Sequence, residues 1–379
     1  MGDPFLDDQN ISTEDVVFTK ADGELQKLAW RLNGKAWAAP MSIDDYVARE
    51  IHLSQQALSK DGRCIYWVLS HKDDPTHIVA SCESVEKTVF IAGRGTGIND
   101  GFVEAKAYAI ASVYTNPKYR RLGMAAYMME KLQEHMDADS ECSALYSDIG
   151  KQYYANLGWT VFPSDQATIY LESEDFKLPE QPATRYLTLG ELEPLCDKDV
   201  AAVKAKFQAL AADHKKTHVA FSPSYPQIAW QLAREQFMAG VLHKREINRR
   251  GAITHSGKAW MYWDHDWREG KLKIMRIVTL DHDPDTGVKV MEEHKIVDVL
   301  ELLRAAAAEA TEWGLQKILI WNPDPTVTRG IKGFHNYHED DVDVIFDERY
   351  ENSIPSLRWK GGRSTEHTVW EDNSYFCWC

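Results

Sequence analysis

Short apolar runs and longer runs with helical spacing alternate along the chain. Runs rich in β-branched and aromatic residues predict strands, and apolar residues repeating every three to four positions predict helices. In the first half, strands are predicted at residues 16–18, 64–70, 78–83, 107–115, 143–147, 160–162 and 168–171. Residues 88–91 either extend the strand at 78–83 or form another, and residues 93–101, with four glycines, predict a loop. Helices are predicted at residues 24–31 and 43–58, the second with Ser42 as its N-cap, from residue 122 onward, and at 151–159.

The pattern in the second half again alternates strand, helix and strand. Strands are predicted at 258–263, 271–279 and 317–321, with a long amphipathic helix at 295–314. Residues 176–184 contain two prolines and predict a linker. We therefore expect an α/β (α+β) protein with an N-terminal domain at 1–175 and a C-terminal α+β domain at 185–379. The first domain should hold one mixed sheet that ends with the strand at 168–171.

One stretch of the first half predicts an anion-binding site. The apolar strand at 107–115 is broken by Asn116-Pro117, and a helix follows a basic turn that contains Arg120, Arg121 and Gly123. The first amides of a helix have no intrahelical partner and carry partial positive charge. Gly123 lets a phosphate approach the backbone, and the two guanidinium groups match phosphate oxygens.

Composition narrows the classes of function. The apolar share of 44% and the charged share of 27% are typical of a globular protein, and the formal charge of −15 disfavours nucleic-acid binding. The six cysteines show no metal-ligand spacing, so we expect free thiols and no metal. No apolar run approaches membrane-spanning length, and we expect a cytoplasmic protein without a membrane partner.

Two motifs resemble those of the GNAT N-acetyltransferases. The turn reads Arg120-x-x-Gly123-x-Ala125, similar to the acyl-CoA signature of that family, and Tyr153-Tyr154-x-x-x-Gly158-Trp159 looks like its late Phe-Tyr-x-x-x-Gly-Phe segment. The order of predicted elements over about residues 14–172 is also that of a GNAT fold. The resemblance implies acetyl-CoA as co-substrate and direct acetyl transfer to an amine in a ternary complex.

The same resemblance implies where acetyl-CoA binds. The pantetheine should lie along the end of the strand at 107–115 in the manner of an added strand, and the pyrophosphate should meet the following turn. The residues expected to hold the cofactor are Val113, Tyr114, Thr115, Arg120, Arg121, Leu122, Gly123, Met124, Ala125 and Ser147.

The end of the chain carries a more specific resemblance. The segment 354–359, IPSLRW, and the last five residues, YFCWC, are similar to the end of the fungal lysine N6-acetyltransferase family. This resemblance implies acetylation of the side-chain amine of free L-lysine, as a step of lysine degradation. Another small amine, such as a polyamine or an amine-bearing toxin, and a protein lysine remain alternatives. A further alternative is a non-catalytic acyl-CoA-binding regulator, which the presence of Tyr154 disfavours.

The second half is open to two interpretations. It is either a degenerate GNAT-like half or an unrelated α+β substrate domain, because its turn at 286–290 lacks the Arg-x-x-Gly-x-Ala pattern.

Three residues are expected to act in catalysis. By its match to the family motif, Tyr154 should be the general acid for the leaving thiolate, with Tyr153 in a packing position. The resemblance places Glu83 on a central strand, where it should recognise or deprotonate the amine; the alternative is a solvated carboxylate at the sheet edge. Asp266 is a weaker second acid. The apolar tail should dock on the protein and carry the carboxylate of Cys379 inward, because exposing Phe376 and Trp378 is unfavourable. In the tandem-GNAT aminoglycoside acetyltransferases, which the layout resembles, this carboxylate reaches the site of transfer.

Overall fold

The computed structural model describes residues 11–95, 101–172, 176, 182–283 and 285–378. The strands are β1 Val16–Lys20, β2 Cys64–His71, β3 Asp74–Gly93, β4 Val103–Thr115, β5 Cys142–Ser147, β6 Thr160–Val161, β7 Asp165–Leu171, β8 Thr184–Leu187, β9 Thr217–Phe221, β10 Gly251–Thr254, β11 Ala259–Asp266, β12 Lys271–Thr279, β13 Lys317–Trp321, β14 Val342–Glu348, β15 Ile354–Trp359 and β16 Thr368–Trp370. The α-helices are α1 Gly23–Trp37, α2 Ile43–Ser54, α3 Met124–Asp137, α4 Gln152–Asn156, α5 Leu192–Leu210, α6 Tyr225–His243, α7 Glu292–Glu312 and α8 Pro325–Tyr337.

The strands form two mixed sheets. In the first sheet the order is β1-β2-β3-β4-β5-β15-β6, with β9 paired to the far end of β3 and β16 paired to β9. Its main path is antiparallel except for the parallel pair β4 and β5. In the second sheet the order is β14-β7-β13-β12-β11-β10-β8, in which β12 and β13 are parallel.

Each sheet contains strands from the other half of the sequence: β9, β15 and β16 of the second half lie in the first sheet, and β7 of the first half lies in the second. Strand β15 lies between β5 and β6 in the first sheet, whereas β7 lies between β14 and β13 in the second. The prediction that residues 168–171 complete the N-terminal sheet is therefore wrong. The apolar pattern of that segment predicts a strand but does not say which neighbour it pairs with, and β15 takes the place beside β6.

Most other local predictions are confirmed, with shifted ends. Strands β12 and β13 have the predicted bounds, and residues 88–91 extend the strand expected at 78–83 into the single long β3, which was one of the two alternatives. The Ser42 hydroxyl accepts a bond from the Asp45 amide at 3.0 Å, as expected of an N-cap. Of the glycine-rich loop expected at 93–101, residues 96–100 lie outside the described residues.

The main core lies between the two sheets and includes the C-terminal tail. It joins Ala107 and Ala144 of the first sheet to Tyr262 and Leu319 of the second, and Phe376 packs into it with no exposed surface. The expected docking of the tail is confirmed for residues 375–378. Cys379 lies outside the described residues, so its predicted catalytic part stays a prediction.

Candidate active site

A cleft opens in the first sheet where β4 and β5 diverge. The two strands pair only from Ala107 to Ile110 and from Cys142 to Leu145, although β4 continues to Thr115 and β5 to Ser147. A bulge lies in the free part of β4, since Ser112 and Val113 together oppose Cys82 of β3. A bulge leaves backbone groups outside the ladder, and the edge of β4 beyond Ile110 therefore offers hydrogen bonds to an extended ligand.

The turn after β4 places an uncapped helix end beside this cleft. Helix α3 begins at Met124 after Gly123, which has φ 79°, and no side chain caps its first amides. No acidic residue lies in its first turn, and Arg120 is anchored by a bond from Nε to the Thr115 carbonyl at 3.2 Å. A Cβ at residue 123 would meet no atom within 4 Å, so the space in front of the amides is open. This end of the cleft is suited to a pyrophosphate.

The helical spacing in the sequence predicts one buried face of α3 formed by Leu122, Ala126, Met129 and Leu132. Ala126 is half-buried. The predicted Met129 and Leu132 are buried, together with Met124, Met128 and Met136, and they hold the helix on the sheet. Leu122 was expected on the same face but precedes the helix and is 39% exposed. It lies in the turn, where the backbone has not yet adopted helical spacing.

A cavity of about 1530 Å³ extends from this turn to the interface between the two halves. Ten residues predicted from the sequence line it: Glu83, Val113, Tyr114, Thr115, Arg120, Arg121, Gly123, Met124, Ala125 and Tyr154. Leu122 and Ser147 are not among the lining residues. The Ser147 hydroxyl instead donates to the Gly150 carbonyl at 2.7 Å and accepts from the Ile149 amide, which fixes the turn after β5.

Tyr154 faces this cavity from α4. Its side chain is 8% exposed and packs edge-on against Tyr153, with ring centres 5.1 Å apart. Among the described residues its hydroxyl has no hydrogen-bond partner. Burial raises the pKa of Tyr154, so the phenol keeps its proton at neutral pH. A protonated, unpaired hydroxyl at a cavity wall can donate a proton to a ligand.

Glu83 lies on β3 opposite Ala111, next to the bulge in β4. It is buried, and burial together with the nearby Glu50 raises its pKa to about 8, against the lowering effects of Ser112 and Arg49. Glu50 and Arg49 come from α2 and form an ion pair at 2.5 Å. A carboxyl group with a pKa near neutrality can take a proton from an amine more readily than an ordinary glutamate.

The second half supplies the opposite wall of the cavity. Lys273 of β12 lies 2.5 Å from the Tyr375 hydroxyl and 3.2 Å from a carboxylate oxygen of both Asp264 and Asp266. Burial would raise the pKa of Asp266, but Lys273 and Lys271 lower it to about 2. Asp266, the weaker acid expected from the sequence, therefore lines the cavity as a charged group.

Helix α6 brings further residues that the sequence did not single out. Trp230, Arg234 and Met238 line the cavity, and Arg49 of α2 contacts Met238 with Nη1 3.8 Å from the sulfur. The contact shows that the two halves meet at the cavity. A charged residue on the face of a helix that also carries buried apolar residues could have indicated these site residues in the sequence. In α2, for example, Glu50 lies four positions after the buried Tyr46 and therefore on the same face.

Other features of the described residues bear on the class of protein. They contain no group of three or more His, Cys, Asp or Glu side chains that could hold a metal ion. No described helix is long and apolar enough to cross a membrane. Cys64, Cys82, Cys142, Cys196 and Cys377 are buried free thiols, as the sequence predicted.

Comparison with known families accounts for both halves. Residues 29–159 match the model of the acetyltransferase (GNAT) family, and residues 168–379 match the LYC1 GNAT-like C-terminal domain. The chain belongs to the GNAT acetyltransferases. These matches confirm the family expected from the turn at 120–125 and from the tail, and they identify an enzyme class that uses acetyl-CoA. They also show that the second half is GNAT-like, which excludes an unrelated α+β domain.

A relative and several solved structures share this layout. The protein YGR111W of Saccharomyces cerevisiae, which is called uncharacterized, is 23% identical over 96% of this chain and 98% of its own length. A GCN5-related N-acetyltransferase from Kribbella flavida has a TM-score of 0.52 at 15% identity, covering 91% of this chain and 72% of that chain. A putative acetyltransferase from Pyrococcus horikoshii has a TM-score of 0.50 at 11% identity, covering 97% and 95%. At these identities the structural likeness shows the fold.

Proposed function

We propose that this GNAT enzyme transfers acetyl from acetyl-CoA to the side-chain amine of free L-lysine, by direct transfer in a ternary complex. The observation that carries the proposal is a single cavity that joins the anion-binding turn, the Tyr154 hydroxyl and the buried Glu83. Acetyl donor, proton donor and amine-binding acid therefore share one space. Direct transfer requires no protein nucleophile.

The two ends of the cavity bind different parts of the reaction: acetyl-CoA at the turn before α3 and the acceptor amine near Glu83. The turn and the first amides of α3, with Arg120 and Arg121, hold the pyrophosphate, and the free edge of β4 at Val113, Tyr114 and Thr115 holds the pantetheine. A lysine ammonium, whose ordinary pKa is roughly 10.4, must lose a proton before it attacks. Glu83 takes that proton, directly or through water, and Tyr154 protonates the thiolate that leaves.

The lysine side chain also suits the walls of the acceptor end. Aromatic rings of Tyr46, Tyr66 and Trp230 line it beside the carboxylates of Glu50 and Glu83. Rings pack on methylene groups and attract a cation, while the carboxylates hold the ammonium. The same side chains could also bind a polyamine, so polyamines are included among the amines tested below.

The test is consumption of acetyl-CoA in the presence of single free amino acids, polyamines and lysine peptides. We expect turnover with free L-lysine at the highest kcat/KM. A preference for N-terminally blocked lysine peptides would contradict a free amino-acid substrate. If no amine supports consumption while acetyl-CoA still binds, the protein is an acyl-CoA-binding regulator.

A further inference from the structure

An arginine of helix α6 faces the acceptor end of the cavity. Arg234 lies on α6, is half-buried and lines the cavity. Among the described residues its guanidinium makes no hydrogen bond and no ion pair, and the Trp378 ring lies 5.7 Å from it. Burial would lower the pKa of Arg234, but Asp264, Tyr375, Asp266 and Glu50 raise it, so the charge is maintained.

The other buried cations of the cavity are either paired or have terminal nitrogens closed off from solvent. Arg49 is paired with Glu50, and Lys273 is held by Asp264, Asp266 and Tyr375. Arg349 donates from Nε to the Ser353 carbonyl at 3.2 Å and stacks 4.0 Å from the Trp321 ring. Its two terminal nitrogens have no hydrogen-bond partner among the described residues, but they are closed off from solvent. Arg234 therefore offers donors to the cavity that these three side chains do not.

The acidic residues near Arg234 do not form ion pairs with its guanidinium. Asp264, Asp266 and Glu50 act on it through space, since none of them lies within ion-pair distance of its nitrogens. A guanidinium presents planar N–H donors that match a carboxylate in two parallel hydrogen bonds. A half-buried guanidinium in this state is suited to a ligand that brings its own carboxylate.

We propose that Arg234 binds the α-carboxylate of a free amino-acid acceptor, while Asp266 accepts hydrogen bonds from its α-ammonium. The proposal rests on the function proposed above and names the feature by which the enzyme selects its substrate. The acceptor then spans the cavity, with its zwitterionic end at α6 and β11 and its reacting amine at Glu83. The phosphates of acetyl-CoA have their own cradle at Arg120, Arg121 and α3, formed by different elements.

The experiment compares L-lysine with two probes that lack the carboxylate, 1,5-diaminopentane and L-lysinamide. For the wild-type enzyme we expect kcat/KM for either probe to be roughly 100-fold below that for lysine, the size typical of a lost buried charge pair. In Arg234→Gln we expect kcat/KM for lysine to fall by a similar factor, through a higher KM for lysine. For 1,5-diaminopentane we expect kcat/KM to change by less than about threefold.

The matched control is Arg245→Gln. Arg245 lies in the same half, is 46% exposed and pairs with Glu312 at 2.5 Å away from the cavity. We expect this variant to retain the wild-type kinetics with all three amines. Circular dichroism and thermal unfolding monitor the fold of each variant, and if Arg234→Gln does not fold, Arg234→Lys and the wild-type comparison of lysine with the two probes decide.

Three results would overturn the proposal. One is equal turnover of lysine and 1,5-diaminopentane by the wild-type enzyme, which would leave acetylation of a small amine standing without Arg234 as anchor. Another is an equal loss with lysine and with 1,5-diaminopentane in Arg234→Gln. The third is a raised KM for acetyl-CoA with an unchanged KM for lysine, which would assign the arginine to the co-substrate. Failure of the proposed function itself differs from all three, because either no amine would then be acetylated or N-terminally blocked lysine peptides would be preferred to free lysine.

Discussion

The hydroxyl of Tyr154 is unpaired among the described residues, and its ring is packed against Tyr153. Tyr154→Phe keeps this packing and removes only the proton donor. We expect kcat to fall by roughly 100-fold or more, the usual contribution of a positioned acid. The measurement is kcat at saturating acetyl-CoA and lysine over a broad pH range. Tyr153→Phe serves as the comparison and should retain most of the activity; a larger loss in Tyr153→Phe than in Tyr154→Phe would exchange their assignments.

The pKa of Glu83, about 8, gives the reaction a pH dependence of known sign. Glu83 is neutral below this pKa and charged above it, so kcat/KM should rise as the pH increases through about 8. Replacing Glu50 with Gln removes a charge that raises the pKa of Glu83, and the rising limb should move to lower pH. The measurement is the pH profile of kcat/KM for lysine. An unchanged profile in Glu50→Gln, or a rising limb that persists in Glu83→Gln, would show that another group titrates.

Whether a residue of the site could be predicted from the sequence depends on whether it belongs to a local motif. Those of the turn at 120–125 and Tyr154 belong to local motifs, and a single stretch of sequence is enough to predict them. Glu50, Arg234 and Lys273 come from α2, α6 and β12, and only the packing of these elements brings them to one cavity. No local pattern encodes that packing, which is why the sequence alone does not identify these three residues as neighbours.

At the scale of elements, the start of α3 makes a testable contribution to acetyl-CoA binding. In Gly123→Trp the side chain would occupy the open space in front of the first amides, and the KM for acetyl-CoA should rise at least about 10-fold. The positive φ of 79° adds a cost of roughly 1–2 kcal/mol to folding. Gly257→Trp is a matched control, since it also has positive φ and open space but lies in the turn between β10 and β11. If Gly123→Trp binds acetyl-CoA as tightly as this control, the pyrophosphate site is elsewhere.

The elements themselves were largely predictable, but their partners were not. Periodicity is a local property, and it correctly indicated β12, β13 and most of α7. Pairing is a property of the whole chain, so a strand pattern at 165–171 is equally compatible with either sheet. Helices α5 and α6 lie in the segment 185–251, for which no element was predicted. Their buried faces contain polar residues such as Asp199, Gln231 and Glu235, which weaken the apolar stripe that signals a helix.

At the scale of the molecule, the exchange of β7 and β15 joins the two halves into one structure. Without β15, strands β5 and β6 would lose the partner that connects them, and the first sheet would gain two unpaired edges. Without β7, β13 and β14 would be separated in the same way. The core between the sheets contains residues of both halves and of the tail, so each half covers apolar surface of the other. We therefore expect the halves to unfold together.

Leu357→Ala tests this coupling. Leu357 lies in β15, is fully buried in the core between the sheets, and belongs by sequence to the second half. Losing its side chain should lower the free energy of unfolding by roughly 2–5 kcal/mol. Because β15 completes the first sheet while β14, which precedes it in the chain, belongs to the second, the loss should shift one cooperative transition to lower temperature. Differential scanning calorimetry, together with tryptophan fluorescence, measures the number of transitions and their midpoints.

The control for this prediction is Ile345→Ala in β14, where the side chain is 45% exposed and its loss should change stability by less than about 0.5 kcal/mol. Two resolved transitions, only one of which moves in Leu357→Ala, would contradict the coupling, because each half would then keep its own stability. A single transition that moves as a whole has a consequence for the active site. The cavity takes Glu83 from one half and Lys273 from the other, so its geometry depends on a joint fold rather than on the docking of two independent domains.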